Sequence, residues 1–231
     1  MKKNLLLLHG ALGSKEQLTE LEEKLSSDFK IYKMNFSGHG GENFPDEPFS
    51  IKLFSDELVK FINENNLQGI DVFGYSMGGY VALHAALNNA GTGLINKIFT
   101  TATKFDWNEE TSKKEAGMLN PEKIEEKIPA FAEQLKQRHA PQDWKQVLNK
   151  TEEMMLNLGK NPELKESDFE KIQNEVLISV GDKDNMVSIQ ETKNTSEKIP
   201  NAKFLLLENT PHPIEKISVD LLSGEIKKFF K

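Results

Sequence analysis

The sequence predicts an α/β protein: a doubly wound, mostly or wholly parallel six-stranded sheet with an inserted helical cap. Six short apolar runs recur along the 231 residues and alternate with segments of helical periodicity. These runs are continuous rather than alternating in polarity, which is typical of parallel strands that helices cover on both faces. Residues 104–172 contain helix starts but no strand signal, and this break in the alternation indicates an insertion.

The predicted strands lie at residues 5–8, 29–34, 70–73, 97–101, 176–180 and 204–207. The helix after the first strand is predicted to begin at Ser14, where a Ser-x-x-Gln sequence forms a capping box. Ser50 and Ser188 precede further amphipathic segments, and a last amphipathic helix closes the chain. Residues 1–103 and 173–231 are therefore predicted to form the core, and residues 104–172 the cap.

Helix starts in the cap are predicted at Asn120, Ala140 and Asn161, each followed by proline, and at Ser167. The apolar side chains of the cap need a surface to pack on, and the open carboxyl edge of the sheet is available. Met154 and Met155 are candidate lining residues of an adaptable apolar pocket. Neighbouring positions on one helix point in different directions, so we expect at most one of them to face that pocket.

The composition excludes several classes of function. The net charge is −7 and Arg138 is the only arginine, so no basic surface for nucleic acid is expected. The chain has no cysteine, which rules out disulfides, thiolate metal sites and cysteine nucleophiles. No histidine pair has the helix-face spacing of metal ligands, and no metal or other cofactor is predicted. No apolar run is long enough for a signal peptide or a membrane span, so a cytoplasmic location is expected.

The most informative motif is Gly74-Tyr75-Ser76-Met77-Gly78, a G-x-S-x-G sequence between a predicted strand and a predicted helix. A sharp turn there leaves no room for side chains at the two glycines and lifts the Ser76 hydroxyl above the sheet edge. N–H groups at the helix start point at any anion that forms beside this hydroxyl. Ser76 is therefore a candidate nucleophile, and an ordinary Gly/Ser turn is the alternative.

A serine nucleophile needs a base, an acid that orients the base, and donors for the oxyanion. The turn at residues 9–14 follows the first strand and can aim the backbone N–H of Ala11 at the point that the Met77 N–H faces. Residues 180–187 place carboxylates after a late strand, and His212 lies between two prolines after the last strand. The sequence thus offers every group that the chemistry requires.

Together these elements resemble the α/β-hydrolase superfamily. The matching stretches are His9-Gly10, Ser37-Gly38-His39-Gly40, the turn at Ser76, the Gly-Asp-x-Asp-x-x-Val run at 181–187, and Pro211-His212, in the superfamily's order of nucleophile, acid and base. The resemblance implies Ser76 as nucleophile, Asp184 as acid and His212 as base, with the N–H groups of Ala11 and Met77 as the oxyanion hole. Asp182, in the same loop, is the second choice for the acid, and Asp106 is the third.

The chain departs from the superfamily at its start. The usual eight-stranded form has an antiparallel hairpin before the strand that leads to His-Gly, whereas only residues 1–4 precede that strand here. We therefore expect six strands, all parallel. Structural roles are expected for the other histidines: His9 and His39 in loop geometry, His84 packed within its helix, and His139 in contact with solvent.

The resemblance implies a serine hydrolase that cleaves a small carboxylic ester through an acyl-enzyme. One alternative is a C–C bond hydrolase or lyase that acts on an acidic metabolite, for which Arg138 is the only arginine that could bind a carboxylate. Another is a catalytically slow, ligand-sensing binding protein. The predicted partner is a small-molecule substrate with an apolar acyl portion, and the protein is predicted to be a monomer or a homodimer.

Overall fold

Six parallel strands form the sheet of the computed structural model, which describes residues 2–231. They are β1 (Lys3–Leu8), β2 (Phe29–Lys33), β3 (Ile70–Tyr75), β4 (Ile95–Thr101), β5 (Glu175–Gly181) and β6 (Ala202–Leu207). Their order in the sheet is β2-β1-β3-β4-β5-β6, and every neighbouring pair is parallel. The prediction of six strands, all parallel, is confirmed.

The strand order reverses between β1 and β3, because the chain first moves outward to β2 and then returns to the other side of β1. The carboxyl ends of strands beside such a reversal border a crevice, which is where open α/β sheets bind ligands. β1 ends at Leu8, just before His9-Gly10, and β3 ends at Tyr75, just before Ser76. The sheet topology therefore brings the two turns together.

Helices cover both faces of the sheet. One face carries α1 (Thr19–Leu25) and α10 (Val219–Phe230), and the other carries α2 (Ile51–Glu64), α3 (Met77–Asn88) and α9 (Ile189–Lys198). β1 serves both layers: Leu5 and Leu7 belong to the first core, and Leu6 and Leu8 to the second. All four side chains are fully buried, as a continuously apolar strand predicts.

Short polar motifs begin several of these helices as the sequence indicates. The Ser50 hydroxyl accepts a hydrogen bond from the Leu53 N–H, and the Ser188 hydroxyl accepts one from the Glu191 N–H. Glu191 completes a capping box by accepting from the Ser188 N–H. After Ser14 the chain first forms a 3-10 turn at Lys15–Leu18 and only then α1.

The edge strand β6 differs from the prediction that each strand is buried. Leu206 is 40% exposed, and Phe204 and Leu205 are only half-buried. The difference arises because an edge strand has a neighbour on one side only and is less completely covered by helices.

Five helices lie between β4 and β5: α4 (Glu109–Ala116), α5 (Pro121–Lys127), α6 (Pro129–His139), α7 (Trp144–Lys160) and α8 (Glu166–Phe169). Asn120 caps α5 as predicted, since its side chain accepts a hydrogen bond from the Lys123 N–H. The predictions at Ala140 and Asn161 are wrong, because these residues follow the ends of α6 and α7. Proline after a helix end is as characteristic as proline at a start, since it cannot continue the helix.

The longest helix of the described residues, α7, spans Trp144–Lys160. Within residues 2–231, no helix combines the length and the apolar character that crossing a bilayer requires.

Candidate active site

Ser76 lies at the turn between β3 and α3, with φ of 50° and ψ of −116°. Residues with side chains adopt such angles at an energetic cost, and keep them where the surroundings fix the backbone. A Cβ atom at Gly74 would lie 2.5 Å from the Cα atom of Gly79, and one at Gly78 would lie 2.7 Å from the His9 carbonyl oxygen. Both positions therefore require glycine, as the sequence motif predicts.

The backbone of this turn is tied to β4 and the residues after it. The Ser76 N–H donates to the Thr101 carbonyl at 2.8 Å, and the Thr103 hydroxyl donates to the Ser76 carbonyl at 2.9 Å. The turn is thus held by hydrogen bonds on both sides of its central residue, and the Ser76 side chain is left half-exposed.

Ala11 and Met77, whose N–H groups are the predicted oxyanion donors, line one cavity together with Ser76. Met77 is the first residue of α3, where an N–H has no partner within the helix. Ala11 lies in the turn that the Gly13 N–H closes on the Gly10 carbonyl at 3.1 Å. In the part of the chain that the structure describes, neither N–H has an acceptor. Both N–H groups are therefore free to donate to a further acceptor.

Asp184 and His212 are in direct contact. The Nδ1 atom of His212 lies 2.8 Å from Oδ2 of Asp184, whose side chain is fully buried. The other carboxylate oxygen accepts hydrogen bonds from the N–H groups of Met186 and Val187, both at 2.9 Å. Because the ionised carboxylate can only accept, Nδ1 carries the proton, and Nε2 of the neutral ring keeps its lone pair.

The two other candidate acids do not contact His212. Asp182 is exposed and accepts a hydrogen bond from the Thr210 N–H at 3.1 Å, and the N–H groups of Asn209 and Thr210 lower the pKa of its carboxyl. Asp106 is exposed as well, and its side chain bonds Asn108. Of the three carboxylates, only Asp184 is placed to orient the imidazole.

The Ser76 and His212 side chains lie in the same region without a direct hydrogen bond between them in residues 2–231. Tyr75, the residue before Ser76, contacts His212 directly. Its hydroxyl donates to the His212 carbonyl at 2.9 Å, and the centroids of the Tyr75 and His212 rings lie 5.8 Å apart. Catalytic hydrogen bonds in unliganded sites are often formed only when the substrate binds. Sequence reasoning missed Tyr75, although its place inside the Ser76 motif marks it for attention.

The remaining histidines are buried. His9 lies between the Gly10 carbonyl and the Phe36 N–H, and the His39 Nδ1–H donates to the Ser37 carbonyl, so the expected structural roles of both are confirmed. His84 packs against Asn88 within its helix, also as expected. The expectation of a solvated His139 is wrong. Its side chain is fully buried because the end of α6 packs against the turns that follow β1 and β2. There the ring contacts the Leu12 carbonyl and the Gly40 N–H.

A cavity of about 40 Å³ lies beside Ser76. The segment between β4 and β5 and the rest of the chain both contribute to its mainly apolar wall, which consists of Ala11, Ile51, Ser76, Met77, Tyr80, Lys104, Trp107, Met154, Met155 and Leu158. The expectation that at most one of Met154 and Met155 faces the pocket is wrong. Both reach it, because their long, flexible side chains extend around the side of α7. Four larger hollows, of about 640, 580, 450 and 430 Å³, do not include Ser76.

Charged groups surround one side of this site. The Lys104 ammonium lies 3.8 Å from a Glu191 carboxylate oxygen, and its side chain is 13% exposed. Glu115 of α4 is 2% exposed, and its Oε2 atom has no hydrogen-bond partner among the described residues. Burial raises the pKa of Glu115, against the opposing effects of Lys104 and His212. In residues 2–231, no three side chains converge as metal ligands would.

The comparisons with known proteins agree on the fold. A family model described as the alpha/beta hydrolase fold matches residues 3–143, more than half of the chain. Over 89 residues the chain is 32% identical to ethanol acetyltransferase 1 of Hanseniaspora uvarum; the match covers 38% of this chain and only 26% of that protein. The chain thus corresponds to about a quarter of the length of this curated relative.

Solved structures resemble the whole chain. MenH from S. aureus has a TM-score of 0.77 at 22% identity, covering 98% of this chain and 92% of that one. A thermophilic esterase from Thermogutta terrifontis has a TM-score of 0.76 at 17% identity, covering 99% and 89%. At these identities the likeness concerns the fold.

Proposed function

The chain belongs to the α/β-hydrolase family, and we propose that within this family it is a serine hydrolase that cleaves a small carboxylic ester. Ser76 is the proposed nucleophile, His212 the base and Asp184 the acid. The N–H groups of Ala11 and Met77 form the proposed oxyanion hole. We also propose that the helical insertion, residues 104–172, acts as the cap of this site.

The observation that carries the proposal is the 2.8 Å contact between His212 Nδ1 and the fully buried Asp184 carboxylate. It leaves Nε2 free to accept the Ser76 proton when the hydroxyl oxygen attacks the ester carbonyl. The negative charge on the carbonyl oxygen is then stabilised by the two N–H donors. His212 passes the proton to the leaving alcohol, and water hydrolyses the acyl-enzyme with His212 acting as base again.

The cavity supports a short acyl group. The cavity is small, at about 40 Å³, which favours a short acyl group over a long one. Its wall is mainly apolar and its one ammonium, that of Lys104, is paired with Glu191, so it offers little to a charged acyl chain. We therefore propose acetyl and propionyl esters as the preferred substrates.

Arg138 bears on the alternative of a C–C hydrolase or lyase that acts on an acidic metabolite. Its guanidinium donates to the Leu12 carbonyl and to the Glu215 carboxylate, so two of its donors are engaged within the protein. The only arginine of the chain thus already has a carboxylate partner. This engagement favours the ester over the acidic metabolite.

Transfer of the acyl group to an alcohol is a second candidate activity. The curated relative named above is an ethanol acetyltransferase, and an acyl-enzyme that water can hydrolyse can also be attacked by an alcohol. The same triad would serve both reactions. Measuring ethyl ester formation in ethanol-containing buffer, beside acid release, separates the two activities.

The test is labelling with a fluorophosphonate probe together with hydrolysis of p-nitrophenyl acetate, butyrate, hexanoate and octanoate. Wild type should be labelled and should prefer the acetate. Ser76→Ala should lose labelling and about 10⁴-fold or more in kcat while remaining folded, because only the nucleophile is removed. Ser167→Ala, at an exposed serine of α8, is the matched control. Labelling that persists in Ser76→Ala contradicts the proposal, and a labelled protein without turnover supports the ligand-sensing alternative.

A further inference from the structure

Arg138, near the carboxyl end of α6, contacts the loops on both sides of Ser76. Its Nη1 atom donates to the Leu12 carbonyl at 2.9 Å, and its Nη2 atom lies 3.1 Å from a Glu215 carboxylate oxygen. Leu12 follows Ala11, and Glu215 lies three residues after His212. The Arg138 side chain is 15% exposed and that of Glu215 is 51% exposed, so the contact with the Leu12 carbonyl is the better shielded of the two. One guanidinium therefore joins the proposed oxyanion turn to the loop of the proposed base.

The Leu12 carbonyl receives a second donor from the same helix end. The Gly40 N–H donates to His139 Nδ1 at 3.1 Å, so the ring proton is on Nε2, which lies 3.2 Å from the Leu12 oxygen. Burial, with the nearby charges of His39 and Arg138, lowers the pKa of His139 to about 3. The ring is therefore neutral near pH 7, and Leu12 accepts from Arg138 and His139 together.

The turn that receives these bonds needs external support. Leu12 has a φ of 57°, in the left-handed region that residues with side chains adopt at an energetic cost. The carbonyl that Arg138 and His139 hold belongs to this strained residue, and the peptide group of Ala11 directly precedes it. Because Ala11 directly precedes Leu12, a shift of the Leu12 backbone would also displace the Ala11 N–H, the proposed oxyanion donor.

We propose that Arg138 is a positioning residue, which aims the Ala11 N–H at the reacting oxygen and holds the oxyanion turn in register with the His212 loop. The inference rests on the proposed function, since it assumes that Ala11 donates to an oxyanion. A guanidinium suits the role because its planar fork presents donors in fixed directions to two acceptors at once. A lysine ammonium presents a single charged atom on a flexible chain and cannot span both.

The test compares Arg138→Ala and Arg138→Lys with wild type in kcat and KM for p-nitrophenyl acetate and in the rate of fluorophosphonate labelling. An oxyanion donor acts in the transition state, so Arg138→Ala should lower kcat by about 10- to 100-fold and leave KM within about twofold. Arg138→Lys should recover only a small part of the loss. Millimolar guanidinium chloride should restore activity to Arg138→Ala and leave wild type unchanged.

Lys198→Ala is the matched control, because it removes another ion pair between the insertion and the core, Lys198 with Glu166, which involves neither loop. Its kcat should equal that of wild type. If Arg138→Ala does not fold, Glu215→Ala cuts one end of the bridge and should still lower kcat severalfold without changing KM.

Three results would overturn the inference: a folded Arg138→Ala with wild-type kcat, a rise in KM at constant kcat, or equal losses in Arg138→Ala and Lys198→Ala. Activity that depends on Ser76 but not on Arg138 overturns this inference alone. A wild-type protein that is neither labelled nor active overturns the proposed function as well.

Discussion

The two loops that flank Ser76 are held in different ways. The His212 loop is fixed from the sheet core, since its carbonyl binds the Tyr75 hydroxyl and its ring binds the Asp184 carboxylate. The turn at residues 10–13 is fixed from the helical insertion, through the contacts of Arg138 and His139 with the Leu12 carbonyl. The contact of Tyr75 with His212 and those with Leu12 all cross more than 120 residues of sequence, so the two loops differ in the part of the fold that holds them.

This difference indicates that the proposed chemistry depends on two parts of the fold, the sheet core and the helices between β4 and β5. The acid and base are held chiefly by contacts of the sheet core, with the Tyr75 hydroxyl on the His212 carbonyl and the Met186 and Val187 N–H groups on Asp184, and Arg138 adds one contact from α6 to Glu215. The oxyanion turn and the acyl cavity depend on helices α6 and α7 of the insertion. Substitutions in the two regions should therefore differ in kind: loss of proton transfer in the first, and loss of alignment or acyl selectivity in the second.

The largest effect expected in this comparison concerns the His212 loop and its partner Asp184. Asp184→Asn should lower kcat for p-nitrophenyl acetate by about 10³- to 10⁴-fold, because an amide no longer selects the reactive tautomer of His212. Asp182→Asn should stay close to wild type, since Asp182 is exposed and does not contact the ring. Steady-state kinetics on the two variants measures the contrast. A greater loss in Asp182→Asn would move the acid to that residue.

A smaller effect is expected for the insertion side of the acyl cavity. Met154 is 3% exposed and lines the cavity, so Met154→Ala should enlarge it and admit a longer acyl chain. Two additional methylenes buried there should raise kcat/KM for the butyrate relative to the acetate by about tenfold, at about 0.8 kcal/mol for each methylene. Met118→Ala, at an exposed methionine outside the cavity, is the control. An unchanged chain-length profile in Met154→Ala would place the acyl site elsewhere.

The smallest effect at neutral pH is expected for the buried histidines that adjoin the oxyanion turn. Burial lowers the pKa of His39 to about 4 and that of His139 to about 3, and it also lowers that of His9. In the unfolded chain these histidines have a pKa near 6.5. Above that pH they are neutral in both states, so the free energy of unfolding should be at its highest there. It should decrease as the pH falls from about 6.5 towards 4, by about 1.4 kcal/mol per pH unit for each histidine.

His39→Phe tests this pH dependence, because phenylalanine keeps the ring packing against Phe49 but binds no proton. Urea unfolding followed by circular dichroism should show a shallower loss of stability below pH ~6.5 than in wild type. Near pH 7.5 His39 is neutral in the folded and in the unfolded state. The difference in unfolding free energy between the two proteins at that pH therefore gives the constant cost of losing the hydrogen bond to Ser37. An identical slope in the two proteins would exclude His39 as the titrating group.

Much of the fold and part of the site could be predicted because their signals are local. Apolar runs, capping residues and the glycines around Ser76 act within a few residues of themselves, and the six strands and the turn at Ser76 followed from them. Proline signals in the insertion were less decisive, since Ala140-Pro141 and Asn161-Pro162 follow helices rather than begin them. The same residue type serves both ends of a helix, and only the neighbouring packing distinguishes them.

The sequence by itself determined the sheet, its strand number and the order of the candidate motifs, because hydrophobic periodicity and turn chemistry are properties of short segments. Only the tertiary structure decided which carboxylate meets His212, since Asp182 and Asp184 share one loop and differ only in what the next loop places opposite them. It also decided that His139 is buried and that Arg138 is engaged with Leu12, 126 residues away in sequence. Such contacts depend on how segments distant in sequence pack against each other, and no local sequence pattern specifies that packing.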